Sequence, residues 1–264
     1  MKNTTCSILF TAAAGLLIAN CNKAGEQRGI RAIELITQAQ FVAAANGQIY
    51  DRKDTVVLGY LDDIVILKEP YTDVKYNKNA LHGNTLVASD DPKTIDAKER
   101  KYDYSIWKKD AKQGIRYSDK VFPEIIDIDA VYRKKLFIDA TFYNVAHDRL
   151  IETKTEGDNG SFLEKYACVS KPDASYCDTT WYRFSTTYAD IPYSLSSIAD
   201  SLKGSRLIEV RYVYNAIPRG ISEKVDLPRR EMSFKINKVV MPIDNYLKAL
   251  LKRFETDSKK LIAQ

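Results

Sequence analysis

Thr179-Thr180-Trp181-Tyr182-Arg183-Phe184-Ser185-Thr186-Thr187-Tyr188 is the stretch that decides the fold. Thr180, Tyr182, Phe184, Thr186 and Tyr188 alternate with Thr179, Trp181, Arg183, Ser185 and Thr187. A period of two in β-branched and aromatic residues predicts a strand with two different faces. Upstream, Phe162, Glu164, Tyr166 and Cys168 share a face if that segment is extended, and the turn Glu156-Gly157-Asp158-Asn159-Gly160 separates it from a further β segment, 147–155. Phe137-Ile138 and Thr141-Phe142-Tyr143 suggest one more strand. The span from Leu136 to Tyr188 therefore reads as an antiparallel meander with hairpin connections.

Downstream, Leu195, Ile198, Ala199 and Leu202 form a stripe that predicts a short helix over Pro192 to Lys203, with Gly204 at its end. Ile208, Val210, Tyr212 and Tyr214 then mark a strand, and after a loop from Asn215 to Arg230 a return strand carries Met232, Phe234 and Ile236. From Ile243 the period turns helical, with Tyr246, Leu247, Leu250, Leu251, Phe254 and Leu261 on one stripe and Lys248, Lys252, Arg253, Lys259 and Lys260 mostly off it. That helix suits packing on the sheet better than lying on a membrane, because Phe234 and Ile236 need a partner layer.

Toward the N-terminus, Ile30, Ile33, Ile36 and the Phe41-Val42 pair recur near helical spacing, so 22–46 reads as a tether running into a helix stopped at Gly47. Two short β segments follow, Val56-Val57-Leu58 and Ile64-Val65-Ile66-Leu67, joined by a turn at Asp62-Asp63 and closed by Glu69-Pro70. Tyr71 to Lys101 is polar and punctuated, hence a loop, and is the first place to look for a partner site. It holds His82, one of two histidines; the other, His147, reads as structural at a strand edge, and the two have no metal-ligand spacing. Tyr102 to Trp107 alternates as a strand, which the segment after Gly114 can pair with. Pro123 to Asp139 fits either a helix or a strand. Asp127-Ile128-Asp129 resembles a D-x-D metal motif, but a helix start explains the two aspartates better.

The fold class expected from these signals is α+β: an antiparallel β-sheet meander packed with helices, including a C-terminal amphipathic helix. Its domain occupies 30–264, with a subdivision conceivable near 110–136.

The first residues carry an address. Lys2 precedes an apolar run from Ile8 to Ala19, too short for a membrane-spanning helix of ~20 residues, so a secretory signal is the reading. Leu17-Ile18-Ala19-Asn20-Cys21 resembles the lipobox of bacterial lipoproteins, with Asn20 where that pattern has Gly, Ala or Ser. The resemblance covers the signal alone. It implies a signal peptide over 1–20, cleavage before Cys21, and a lipid-bearing tether over 21–29 whose diacylglycerol thioether sits on the Cys21 sulfur and whose amine is usually acylated, as by palmitate. Two or three acyl chains at ~0.8 kcal/mol per buried methylene make a stable anchor. An ordinary cleaved signal and an uncleaved N-terminal anchor remain open as alternatives. With Cys6 leaving in the signal and Cys21 lipidated, Cys168 and Cys177 remain as a pair that an oxidising compartment would let bond. A redox or metal role for that pair is weaker, since the spacing is not C-x-x-C.

A formal net charge of +5, spread along the chain, gives no basic stripe and argues against nucleic acid as a partner. Seventeen tyrosines against two tryptophans suit half-buried strand faces and binding surfaces. The chain has no G-x-S-x-G elbow, Gly-rich phosphate loop or H-E-x-x-H, so no cofactor, metal or catalytic residue is named and a non-catalytic role is favoured over an enzyme. The expected protein is a lipid-anchored envelope lipoprotein facing the periplasm or cell surface, held to the membrane through Cys21. Its expected work is to bind another protein, as an envelope-assembly accessory or an inhibitor or immunity factor. The alternatives are a hydrolase with dispersed residues, marked by carboxylates clustered with His82 or His147, and a carrier of an apolar or glycan ligand in a β cavity.

Overall fold

Strand structure runs further along the chain than the alternation in the sequence suggests. The structure, a computed structural model, describes residues 29–43, 47–76, 95–119, 122–137, 142–143, 145, 148–157, 160–169, 177–218 and 226–262. Six strands come first: β1 (Gly29–Val42), β2 (Ile49–Leu61), β3 (Ile64–Tyr76), β4 (Ile95–Lys108), β5 (Gln113–Tyr117) and β6 (Glu124–Asp127). Helix α1 (Ile128–Lys135) leads to β7 (Asp148–Glu156), β8 (Ser161–Cys168) and β9 (Thr179–Ser185). Helix α2 (Ser197–Lys203), β10 (Arg206–Tyr214), β11 (Arg230–Pro242) and helix α3 (Asn245–Ile262) complete the order.

All eleven strands belong to one antiparallel sheet in the order β6-β5-β4-β3-β2-β1-β11-β10-β9-β8-β7. Nearly every neighbour is the next strand in sequence, as hairpins dictate. The exception joins the chain's ends: β1 pairs with β11, from Gly29 opposite Pro242 to Ala39 opposite Met232. Two meanders thus extend outward from a central pair. The α+β class expected from the sequence, a meander packed with helices, is therefore corrected to a sheet-dominated fold in which, among the described residues, three α-helices and the connections cover one large sheet.

Both faces of the sheet's centre are buried. One face carries Ile33, Leu35, Leu58, Leu67, Phe184, Leu207, Val210, Phe234 and Ile236, roofed by Ile128 of α1, Phe142, Tyr143, Leu195 and Ala199 of α2. The other carries Ile30, Ala32, Ile66, Ile106 and Met241 beneath Leu247, Leu250 and Phe254 of α3. The C-terminal helix does pack on the sheet, but on the face opposite Phe234 and Ile236.

This double burial explains why β1 was expected to be a helix. A strand covered on both sides has no polar face, so its apolar residues fall at irregular spacing and lose the alternation that marks a half-exposed strand. The Asp62-Asp63 turn stands where it was expected, with Asp62 at φ 52°. Asp127 caps α1 by accepting from the Asp129 N–H at 3.0 Å, in keeping with the helix-start reading of those aspartates. Gly204 ends α2 in the left-handed region, as its position predicts. The strand expected to close at Glu69-Pro70 instead continues to Tyr76.

Candidate functional site

The sheet is not continuous between β2 and β3. Their pairing runs from Leu61 opposite Ile64 back to Val57 opposite Lys68 and stops. Beyond that point β2 stays paired with β1 as far as Ile49, and β3 stays paired with β4 as far as Tyr76. The two hairpins therefore part like the jaws of a clamp.

Pro70 accounts for the parting. A two-residue turn makes its flanking residues, Leu61 and Ile64, a hydrogen-bonded pair, so each second residue turns its N–H and C=O across the gap: Gly59, Val57 and then Thr55 on β2, Ile66, Lys68 and then residue 70 on β3. The parity is supported on the other side of β3, where the Lys109 N–H donates to the Asp63 carbonyl at 2.7 Å, placing odd-numbered residues toward β4. Residue 70 is proline, which has no N–H, at the first position where the register would require one facing β2.

A cleft of about 950 Å³ fills the divergence, within the usual range for ligand sites. Arg52 to Val56 form one wall, Glu69 to Thr72 the other, and Leu35 and Thr37 of β1 border it. Because β2 and β3 alternate, the walls expose residues of both faces of the sheet, so the cleft is a split and not a dimple on one side. Lys134, Lys135 and Phe137 at the end of α1 stand over one opening. Lys135 reaches Glu69 at 2.7 Å, and the Tyr193 hydroxyl donates to the Leu136 carbonyl at 2.6 Å, fixing the helix end there. Phe137 turns into the left-handed region, φ 57°, and packs its ring on Phe234 and Phe142.

Five cations line the cleft, Arg52, Lys53, Arg100, Lys134 and Lys135, against three carboxylates, Glu34, Asp54 and Glu69. Arg52 holds Asp54 at 2.8 Å and Lys135 holds Glu69, while Glu34 accepts from Asn237 at 3.3 Å. Lys53, Arg100 and Lys134 have no carboxylate partner among the described residues, and the cleft is basic on balance. Farther along the β3 wall, the Tyr71 hydroxyl donates to Asp119 at 2.7 Å, and Lys101 bridges Asp119 at 2.8 Å and Asp73 at 2.9 Å. The bond to Asp119 pushes the Tyr71 phenol up to about 12. Lys101 first, then Tyr71, hold the Asp119 carboxyl below its usual range.

Such a cleft can hold a group that is apolar in part and negatively charged. Its aspartate and glutamates are engaged in ion pairs or hydrogen bonds. Among the described residues no three of His, Cys, Asp and Glu lie close enough to hold a metal. A second polar group is buried elsewhere: Glu164 accepts from Lys203 at 2.7 Å and from the Tyr166 hydroxyl at 3.0 Å, with the Tyr143 hydroxyl 3.3 Å beyond. The aromatic rings around it are in mutual contact, Tyr143 with Tyr182, and Phe162 stacked on Phe184. Filled in this way, that region reads as a satisfied core network.

Of the sites singled out from the sequence, the 71–101 stretch reaches the cleft through Tyr71, Thr72 and Arg100, and the others lie elsewhere. Cys21, His82, His147 and all of 77–94 are outside the described residues. Cys168 and Cys177 face one another with their sulfurs 2.9 Å apart, close but longer than the ~2.0 Å of a bonded pair, and both approach the Thr180 hydroxyl. Burial and the second sulfur push the Cys168 thiol up to about 12. The remaining cleft residues have no such loop signal, because they come from β1, β2, the middle of β3 and the end of α1 and share no local motif. One signal was available: a proline inside a β pattern marks an edge.

No family model matches the chain, and no curated protein does. Among solved structures, it overlays on the crystal structure of a domain described as an outer membrane lipoprotein-sorting protein from Vibrio parahaemolyticus, with 5% sequence identity and a TM-score of 0.26 over 84% of this chain and 90% of that one. At so low a TM-score the likeness carries neither fold nor function from that protein to this one.

Proposed function

We propose that this chain is a lipid-anchored protein of the bacterial cell envelope that binds a protein partner, without catalysis, in the cleft between β2 and β3. The observation that carries the binding role is the cleft itself, two open strand walls with an excess of cations and Phe137 at its border. The address rests on the signal-like first residues and on the lipobox resemblance ending at Cys21. Among the described residues no helix is long and apolar enough to cross a membrane, and an acyl anchor would supply the attachment such a helix otherwise gives. Cys168 and Cys177, already adjacent, would close as a disulfide outside the cytoplasm.

The test is expression in a bacterium with the chain's own signal, with a photo-reactive residue placed at Thr37 or Thr72, one on each side of the split. The reading predicts a mature mass that begins at a triacylated Cys21, membrane fractionation abolished by Cys21→Ser, and one stoichiometric protein cross-linked from both positions. A soluble, unlipidated species would remove the anchor. Absence of a cross-link from either position would remove the cleft as the binding surface. The identity of the cross-linked protein separates an assembly component from a toxin under inhibition.

A further inference from the structure

We infer that the cleft takes its partner as an extended, carboxylate-bearing segment laid between β2 and β3 as an added strand. The inference rests on the reading of the cleft as the binding surface and specifies how it binds. Each wall is a strand edge: β2 turns the N–H and C=O groups of Asp51, Lys53 and Thr55 into the gap, and β3 turns in the Pro70 carbonyl and both groups of Thr72. Backbone groups without a strand partner among the described residues, along two facing edges, favour a third strand that completes them.

Pro70 gives the gap its permanence. It leaves the Thr55 carbonyl without a donor across the gap, so the pairing does not extend past Val57, yet its ring leaves the β4 side of the ladder unbroken, with Pro70 opposite Tyr102. Because β2 and β3 are antiparallel, an inserted strand runs antiparallel to one wall and parallel to the other.

Charge names the chemistry of the segment. Lys53 lies on the α3 face of the sheet, as its spacing from Val57 requires, and Arg100, opposite Thr72, lies on the same face. Lys134 stands on the opposite face, at the end of α1. Side chains of an inserted strand alternate between those faces, so carboxylates at either parity meet a cation. A lysine-rich segment would be repelled at each.

The test uses the purified full chain. Random peptides are selected on it, the tightest is titrated by fluorescence anisotropy, and amide hydrogen exchange is read with and without it. Selected sequences should be rich in Asp and Glu, and the bound peptide should slow exchange at Lys53, Thr55 and Thr72. Thr55→Pro removes an N–H that faces only the gap, and should weaken binding about tenfold, the worth of one hydrogen bond. Methylating alternate backbone nitrogens of the peptide should do the same with the protein untouched, which guards against a misfolded variant. Lys53→Glu with Lys134→Glu should reverse the preference for acidic peptides.

The inference is overturned if no acidic sequences are enriched, if the peptide binds while those amides exchange as before, or if they are already protected in the free chain because a segment of the chain fills the gap. A cellular partner cross-linked at Thr37 and Thr72 with unprotected edge amides would leave the binding surface standing and sink strand addition alone. Edge protection by a selected peptide with no cellular cross-link would do the reverse.

Discussion

Phe137 holds a conformation that favours glycine, one residue past the cap of α1, and it does so with a bulky side chain. The left-handed region costs a non-glycine residue ~1–2 kcal/mol, here offset by ring contacts with Phe142 and Phe234. With the ring removed only the strain is left. Phe137→Gly should therefore be more stable than Phe137→Ala by ~1 kcal/mol in urea unfolding, and an alanine variant equal to or better than glycine would show that no strain is stored there. Asp119 gives a pH signature at the same scale. Its carboxyl is held below its ordinary 3.8 by Lys101 and then Tyr71, so the charged form is the one these bonds favour. The Lys101–Asp119–Tyr71 contact is fully present above pH 3.8 and is lost only as pH falls through the lower folded value. An NMR titration should put the Asp119 midpoint below 3.8 with the Tyr71 ring signals moving alongside; a midpoint at or above 3.8 would show that these bonds do not hold the carboxylate. For the cysteines, the exported protein should show no titratable thiols at Cys168 and Cys177 in denaturant. Replacing both with serine should cost ~2–3 kcal/mol, the chain-entropy value for so short a loop, and two free thiols would end the disulfide proposal.

Among elements, the β2–β3 hairpin carries most of the function proposed here. Pro70→Thr supplies the missing N–H and should let pairing run on from Val57 to Thr55. The expected gain is ~0.5–1.5 kcal/mol per added hydrogen bond, with slowed exchange at Thr55 and a narrower cleft that binds its partner less well. If the Thr55 amide exchanges in that variant as fast as before, something other than Pro70 holds the hairpins apart. The elements also show what a sequence reveals. Half-exposed strands such as β9, with Tyr182 and Phe184 inward and Trp181 and Arg183 outward, declare themselves by alternation. β1 does not, because α3 buries Ile30 and Ala32 on one face while the opposite core buries Ile33 and Leu35 on the other. Pro70 reads in the sequence as the end of a strand, whereas it is the place where β3 loses β2 and keeps β4.

At the scale of the whole molecule, one pairing sets the architecture. β1 and β11 join residues some two hundred positions apart, Ile33 opposite Lys238 and Leu35 opposite Ile236, and no local pattern encodes so distant a contact. The β2–β3 turn and the β8 and β9 strands were legible, while β1, read as a helix, and the outer ends of β3 and β4, read as a loop, were not. The same holds for the cleft, since Lys53, Arg100 and Lys134 become neighbours only once β2, β4 and α1 are in place. The split between two otherwise paired hairpins is the feature on which the binding role depends, and amide hydrogen exchange in the free, full-length chain tests it most directly. Asp51, Lys53 and Thr55 should exchange rapidly while Val57 and Gly59, in the same strand and paired across to β3, stay protected. Equal protection along the whole of β2 would mean that the sheet is closed there and that the cleft is not a binding site.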